Sequence, residues 1–229
     1  MRINKFLSAS GVCSRREADK KIAAGEVEID GRVATLGDQV GEDSVVKVNK
    51  KTVCGISKKV IFLLNKPVGY VCTESRREGK TVGELIDYPE RLFSVGRLDK
   101  DSEGLLLMTN DGDIVNDIMR ARNGHEKEYE VTVDAPIDDE FIRGMSEGVP
   151  ILDTVTRKCK VRKTGENSFN IVLTQGLNRQ IRRMCEYFGY GVIRLKRVRI
   201  MNLKLGGLKP GEYRRITDEE RKCLIEKKG

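Results

Sequence analysis

The sequence holds one histidine, His125, and no Cys-x-x-Cys pair among its six cysteines, at 13, 54, 72, 159, 185 and 223. A Ser-His-Asp or Cys-His mechanism therefore has only His125 to build on. Neither a zinc site nor a secreted disulfide framework finds its usual spacing, and free thiols in a reducing cytoplasm are the expectation. The longest apolar run is Val60-Ile61-Phe62-Leu63-Leu64, far short of the roughly 18 residues of a membrane span. Met1-Arg2-Ile3-Asn4-Lys5 leads into no apolar signal core, which argues against a secretory leader. No glycine loop of the phosphate-cradling kind is present, and no repeat or low-complexity tail, so a nucleotide triphosphate or nicotinamide is not expected.

What the chain does have is positive charge. Its 229 residues are 38% hydrophobic and 34% charged, enough apolar material for a packed core in one large domain or two modest ones. The net charge is +8 and the isoelectric point about 9.2. From Arg179 to Arg215 eleven Lys or Arg are opposed only by Glu186 and Glu212. A second basic cluster, Arg2, Lys5, Arg15, Arg16, Lys20 and Lys21, lies near the N-terminus against Glu17 and Asp19. Ordinary solvated faces carry such runs too, but clustered arginine in a chain this basic is the footprint of a nucleic-acid partner.

The first fifty residues read as a small unit. Ile3, Phe6 and Leu7 have helical spacing, closed by Gly11. Ser14-Arg15-Arg16-Glu17 is a capping box opening a second helix, with Ala18 and Ile22 on one face and Gly25 at its end. Glu26 to Ile29 alternates like a strand, and Asp30-Gly31 is a hairpin signal. Lys47 to Lys51 reads as charged linker. The text "RINKFLSASGVCSRREADKKIAAGEVEIDGRVA" resembles the S-four RNA-binding domain. The resemblance implies that Arg15, Arg16, Lys20 and Lys21 meet RNA phosphates.

From Val60 the pattern changes. "VIFLLNKPVGYVCT" reads as a buried strand and a Lys-Pro-x-Gly turn, and Thr81 to Ile86 as a short helix. "KEYEVTVDAPI" alternates, with Tyr129, Val131 and Val133 on one face. "DDEFIRGMSEGV" is a short amphipathic helix, and "RKCKVRKTGENSFNIVLTQG" a hairpin around Gly165. "NRQIRRMCEYFGY" is a basic helix with Ile181, Met184, Cys185 and Phe188 on one face, and "GVIRLKRVRIMNLKLGGL" a strand pair. Strands dominate and few strand-helix-strand crossovers appear, which predicts an α+β domain on a mostly antiparallel sheet. The expected division is residues 1–50, a linker over 51–58, and a larger domain over 59–229.

The sharpest segment is Gly96-Arg97-Leu98-Asp99-Lys100-Asp101-Ser102-Glu103-Gly104-Leu105-Leu106-Leu107. Arg97 and Lys100 flank Asp99 and favour its ionised form. Asp99, Asp101 and Glu103 also invite a divalent-metal reading, as in a metal-dependent nuclease, but no glutamate stands at the twelfth position of a calcium loop. "GRLDKDSEGLLLMTNDG" resembles the active-site motif of the RNA pseudouridine synthases, in the branch that acts on ribosomal RNA and carries an S-four domain. "KEYEVTV", "LTQGLNRQIRRM", "NKPVGYVCT" and "GLKPGEYRRIT" match further motifs of that family in order. The resemblance runs from about residue 1 to about residue 218. With Asn178-Arg179 before the glutamine, it is nearest the F-type group, which modifies a uridine of 23S ribosomal RNA. That group often carries a long basic C-terminal extension, the family's usual tryptophan near the C-terminus is Tyr213 here, and neither difference touches the catalytic set.

The resemblance implies the pseudouridine synthase fold, with Asp99 as the catalytic aspartate and Tyr129 stacking on the extruded base. The basic partner of Asp99 is assigned to Arg182, with Arg179 and Arg183 competing for the same role. Arg97, Leu98, Lys100, Arg179, Gln180, Ile181 and Arg183 are the expected RNA contacts of the larger domain. The reaction breaks the N1–C1′ bond of uridine and rejoins the base through C5, with no net redox change, so no cofactor or metal is implied. Asp99 would attack C1′ or C6, or take the 2′ proton, and the target base must leave its stack. The implied partner is ribosomal RNA, bound by a cytoplasmic monomer. The alternatives are an inert RNA-binding assembly factor and a synthase acting on another RNA such as tRNA. An inert copy would be expected to have lost Asp99, Tyr129 or the arginines, and all are present.

Overall fold

The computed structural model describes the chain except residues 54, 56, 57, 74, 120–123 and 227–229. Of the expected linker at 51–58, Cys54 and residues 56 and 57 thus lie outside the described residues. The chain divides into two compact units, one formed by Met1–Val60 with Tyr88–Phe93 and Thr109–Gly112, the other by the rest.

The first unit opens with two short helices, α1 (Ile3–Ala9) and α2 (Arg15–Ala23). Ser14 caps α2, its Oγ accepting from the Glu17 amide at 3.1 Å, and this satisfies one of the free donors of the first turn. Four strands follow: β1 (Val27–Ile29), β2 (Arg32–Val33), β3 (Val46–Val48) and β4 (Lys51–Thr52), in the antiparallel order β2-β1-β3-β4. Asp30 and Gly31 both have positive φ, 51° and 83°, as a tight two-residue hairpin turn requires. Residues 47–51, expected as linker, are instead the β3–β4 hairpin. Its turn residues Asn49 and Lys50 take left-handed backbone without a glycine to announce it. Ile3, Leu7, Ala18, Ile22, Val27, Ile29 and Val46 form the core of this unit.

The second unit is built on a nine-stranded sheet. Its elements are β5 (Ile61–Lys66), β6 (Phe93–Val95), β7 (Glu103–Thr109), α3 (Gly112–Met119), β8 (Lys127–Val133), α4 (Asp139–Glu147), a small hairpin of β9 (Pro150–Ile151) and β10 (Thr154–Val155), β11 (Lys160–Gly165), β12 (Ser168–Leu173), α5 (Gln180–Tyr187), β13 (Val192–Ile200), β14 (Leu203–Lys204), β15 (Tyr213–Arg215) and α6 (Asp218–Glu226). The strand order is β11-β12-β8-β13-β7-β5-β15, with β6 and β14 beside this path. The expected short helix near 81–86 is a single tight turn over Val82–Leu85. The pairings β11/β12, β12/β8, β8/β13 and β5/β15 are antiparallel, in line with the expected mostly antiparallel sheet, whereas β13 runs parallel to β7.

Two cores lie in this unit. One gathers Val131, Val133, Phe141, Phe169, Ile171, Ile181, Met184 and Cys185, where α4 and α5 pack on β8 and β12. The other gathers Leu63, Leu105, Leu107, Ile118, Ile200 and Leu203. Burying each such side chain contributes about 1.5–3 kcal/mol. All six residues of β5 are buried, including Lys66. Among the described residues no helix is long and apolar enough to cross a membrane.

Candidate active site

The loop before β7 is fixed from several sides. The Ser102 amide donates to the Asp99 carbonyl at 3.1 Å, and the Gly69 amide to the Lys100 carbonyl at 2.8 Å. The Leu98 amide donates to Cys72 Sγ at 3.4 Å, with the Leu98 side chain buried. From below, Lys66 Nζ donates to the Ser102 carbonyl at 2.6 Å and to the Pro67 carbonyl at 3.0 Å. Burial holds the Lys66 amine below the ordinary lysine range. Gly104, at φ 104°, lets β7 touch β13: a Cβ there would sit 2.7 Å from the Arg197 amide nitrogen and against its carbonyl oxygen.

Beside this loop opens a cavity of ≈370 Å3 whose walls include Asp99, Tyr129, Arg179, Lys127 and Arg197. Of the residues expected at the site, Arg97, Leu98, Gln180 and Ile181 line it as well. Arg97 is exposed and Asp99 is 36% exposed in its side chain. Gln180 is buried, its Oε1 accepting from the Leu177 amide at 3.0 Å, so it holds the wall of the cavity together. Lys100, Arg182 and Arg183 are not among the lining residues. Lys100 is exposed, and the Arg183 guanidinium donates to the Asn178 carbonyl and side-chain oxygens at 3.2 and 3.4 Å.

The assignment of Arg182 as the partner of Asp99 is corrected. Arg179 lies 3.7 Å from Asp99 Oδ2 and grips Asp101 with two bonds of 3.3 and 3.2 Å. Arg182, 13% exposed, spans the Val192 and Asp101 carbonyls at 3.0 Å each and approaches Asp101 Oδ2 at 3.4 Å. The reason is local. Arg179 stands at the cap of α5 with left-handed backbone, φ 49° and ψ 36°, so its side chain leaves the helix direction and reaches the aspartate loop. Burial raises the Asp101 pKa, but the Arg179 hydrogen bonds and the charges of both arginines outweigh it and hold Asp101 below the usual carboxylate range.

The acids of the divalent-metal reading are each engaged by arginine: Asp99 by Arg179, Asp101 by Arg179 and Arg182, and Glu103 by Arg194. Among the described residues, no three His, Cys, Asp or Glu side chains cluster as metal ligands. In the first unit, Arg15, Arg16 and Lys20 are exposed on α2, while Lys21 pairs with Glu26 at 2.9 Å. Sequence reasoning did not single out Lys127, Arg197 or Lys66. For Lys127 the signal was present, since it stands two residues before Tyr129 on an alternating strand and so shares its face.

A carboxylate, an aromatic ring and an arginine brought to one concave site from β7's loop, β8 and the cap of α5 suit chemistry on a flat, extruded base. Comparison with known proteins names the class. The RNA pseudouridylate synthase family model matches residues 60–187 and the S4 domain model residues 1–46. The chain belongs to the RNA pseudouridylate synthase family, isomerases that convert uridine to pseudouridine in RNA. It is 56% identical over 221 residues to the dual-specificity RNA pseudouridine synthase RluF of Salmonella typhi, covering 96% of this chain and 76% of that protein. To the ribosomal large subunit pseudouridine synthase B of Bacillus subtilis strain 168 it is 34% identical over 234 residues, covering 97% and 95%. A crystal structure of a pseudouridylate synthase superimposes with a TM-score of 0.73 at 30% identity, over 98% of this chain and all of that one.

Proposed function

We propose that this synthase isomerises a uridine of 23S ribosomal RNA, working as a cytoplasmic monomer without a cofactor. The observation that carries the chemistry is that Asp99, Tyr129 and Arg179 face one cavity. Asp99 acts on the ribose or base of the extruded uridine, and Tyr129 stacks on its ring. Arg179 orients the Asp99 carboxylate and keeps Asp101 charged beside it. Arg97, exposed at the rim, and Lys100 meet the flanking phosphates. Residues 1–50 dock on RNA through Arg15, Arg16 and Lys20, and residues 59–229 carry out the chemistry. The ribosomal large subunit in the name of the Bacillus subtilis relative supports 23S ribosomal RNA, and the words "dual-specificity" in that of the Salmonella typhi relative favour a second RNA substrate, for which tRNA is the candidate.

The test maps pseudouridine chemically in ribosomal RNA and tRNA from cells lacking this chain, complemented by the wild type or by Asp99→Asn. Loss of a 23S site, restored by the wild type alone, is expected. A map unchanged in 23S RNA refutes the assignment, and restoration by Asp99→Asn refutes the role of the aspartate.

A further inference from the structure

The cavity has a cationic floor that the reading above leaves unused. Lys127 lies two residues before Tyr129 on β8, on the same face, and Arg197 stands directly opposite Tyr129 in the β8/β13 register. Both line the cavity. Arg197 is 2% exposed; its Nε donates to the Leu105 carbonyl at 2.7 Å, while its Nη2 is buried without any hydrogen-bond partner. Among the described residues no carboxylate pairs with either side chain. Desolvation and the neighbouring Arg197 charge hold the Lys127 amine below its ordinary range. Two like charges and an orphaned donor in a half-dry cavity are costly unless something negative arrives there.

We propose that Lys127 and Arg197 bind the oxygens of the extruded uracil and take up the negative charge that develops on its ring during isomerisation. This rests on the isomerase reading of the cavity. When C1′–N1 breaks, its electron pair stays with the base as a uracil anion spread over N1, O2 and O4. C1′ is meanwhile held as an Asp99 ester, or as a glycal once the 2′ proton has passed to Asp99. C5 then supplies the pair for the new C5–C1′ bond as Asp99 departs or returns the proton. The C5 proton is lost to solvent and N1 gains one, so charge and oxidation state are unchanged overall. Were Asp99 to add at C6 instead, electrons would also flow into the ring towards O4, so the floor serves each route. A buried guanidinium on the residue paired with Tyr129, lining the same cavity, is placed for a flat base, whereas backbone phosphates keep to exposed rims. Donors fixed where charge develops are the stronger kind of electrostatic catalyst.

The experiment uses the full chain, Lys127→Met and Arg197→Lys, each checked by circular dichroism. Single-turnover loss of the N-glycoside is followed on a 23S fragment carrying uridine or 5-fluorouridine, alongside the RNA Kd. Fluorine makes the departing base a weaker base, so it relies less on the floor. For Lys127→Met we expect a rate loss of roughly 10²-fold on uridine, a Kd within about threefold of wild type, and a loss at least about fivefold smaller on 5-fluorouridine. Arg197→Lys keeps the charge without the fork and is expected to lose roughly tenfold with the same dependence on fluorine. Equal losses on the two substrates, or weaker affinity with an unchanged saturated rate, overturn the proposal, the latter pointing to a phosphate contact. A wild type with no turnover on uridine refutes the isomerase reading itself.

Discussion

Replacing Arg179 by alanine removes the guanidinium 3.7 Å from Asp99 Oδ2 together with both bonds to Asp101. In water, charges at that separation attract by about 1.1 kcal/mol, and at an effective dielectric of 20 by about 4.5 kcal/mol. The open site lies near the lower figure, since Arg179 and Asp99 are 42% and 36% exposed. RNA seated over the cavity moves it towards the upper one. The limits correspond to losses of roughly 6-fold and 2000-fold in rate, and about 10²-fold is expected for Arg179→Ala. Arg182→Ala removes a brace instead. The Val192 and Asp101 carbonyls lose a donor, at about 1–3 kcal/mol each where they stay unsatisfied. It should lower the melting temperature by several degrees and the saturated rate by no more than about tenfold. The assay is single-turnover tritium release from 5-tritiated uridine in a 23S fragment, paired with thermal unfolding. A hundredfold loss in Arg182→Ala at unchanged stability, with Arg179→Ala within threefold of wild type, would refute the division of roles drawn from these contacts.

Gly104→Ala forces a Cβ onto the Arg197 backbone at a φ of 104°, and should destabilise the protein by more than about 3 kcal/mol in urea unfolding; a loss under 1 kcal/mol would mean β7 and β13 separate easily. Lys66 titrates below its ordinary range in the folded state, so the unfolded chain binds more protons between that depressed value and about 10.4, and stability rises with pH across this window. Wild type should therefore gain on Lys66→Met as pH climbs from 7 towards 10, and a constant difference in urea midpoints would contradict the assignment. Arg15→Ala with Arg16→Ala should weaken RNA binding and flatten its salt dependence by roughly 0.7–0.9 in slope per lost phosphate contact, leaving the saturated single-turnover rate unchanged; loss of that rate would place α2 in the chemistry.

Local signals in this sequence were legible where one residue type answers one backbone need. Ser14 before a helix, Asp30-Gly31 between strands and the alternation of residues 127–133 all carried their structure openly. The aspartate loop and the tyrosine strand were legible as motifs, and both border the cavity. The partner of Asp99 was not. Helical spacing places residues 179, 182 and 183 on adjacent faces, but Arg179 is left-handed at the cap, and that conformation decides where its side chain goes. The β3–β4 hairpin was hidden because Asn49 and Lys50 turn it without a glycine. Lys66 read as part of a turn, since nothing in the local text says that a lysine closing a buried strand will be used to hold two carbonyls of a distant loop.

The placement of Arg197 beside the Asp99 loop has a different hidden origin, the parallel contact between β7 and β13. Its register sets Arg197 against Gly104 and Lys196 against Glu103, pairs separated by more than ninety residues, and no local pattern encodes it. Yet that contact places both halves of the site. On the β7 side it fixes the start of the strand immediately after the Asp99 loop, which Lys66 grips from β5. On the β13 side it fixes the backbone of Arg197, whose side chain returns to the Leu105 carbonyl of β7 and, across the antiparallel pairing, faces Tyr129 on β8. Carboxylate, ring and the cavity's cations are thereby referred to neighbouring strands of one sheet, which holds catalytic groups more firmly than loops alone. Gly104 is the residue that permits this, because any side chain there would push β13 away and carry Arg197 and Tyr129 with it.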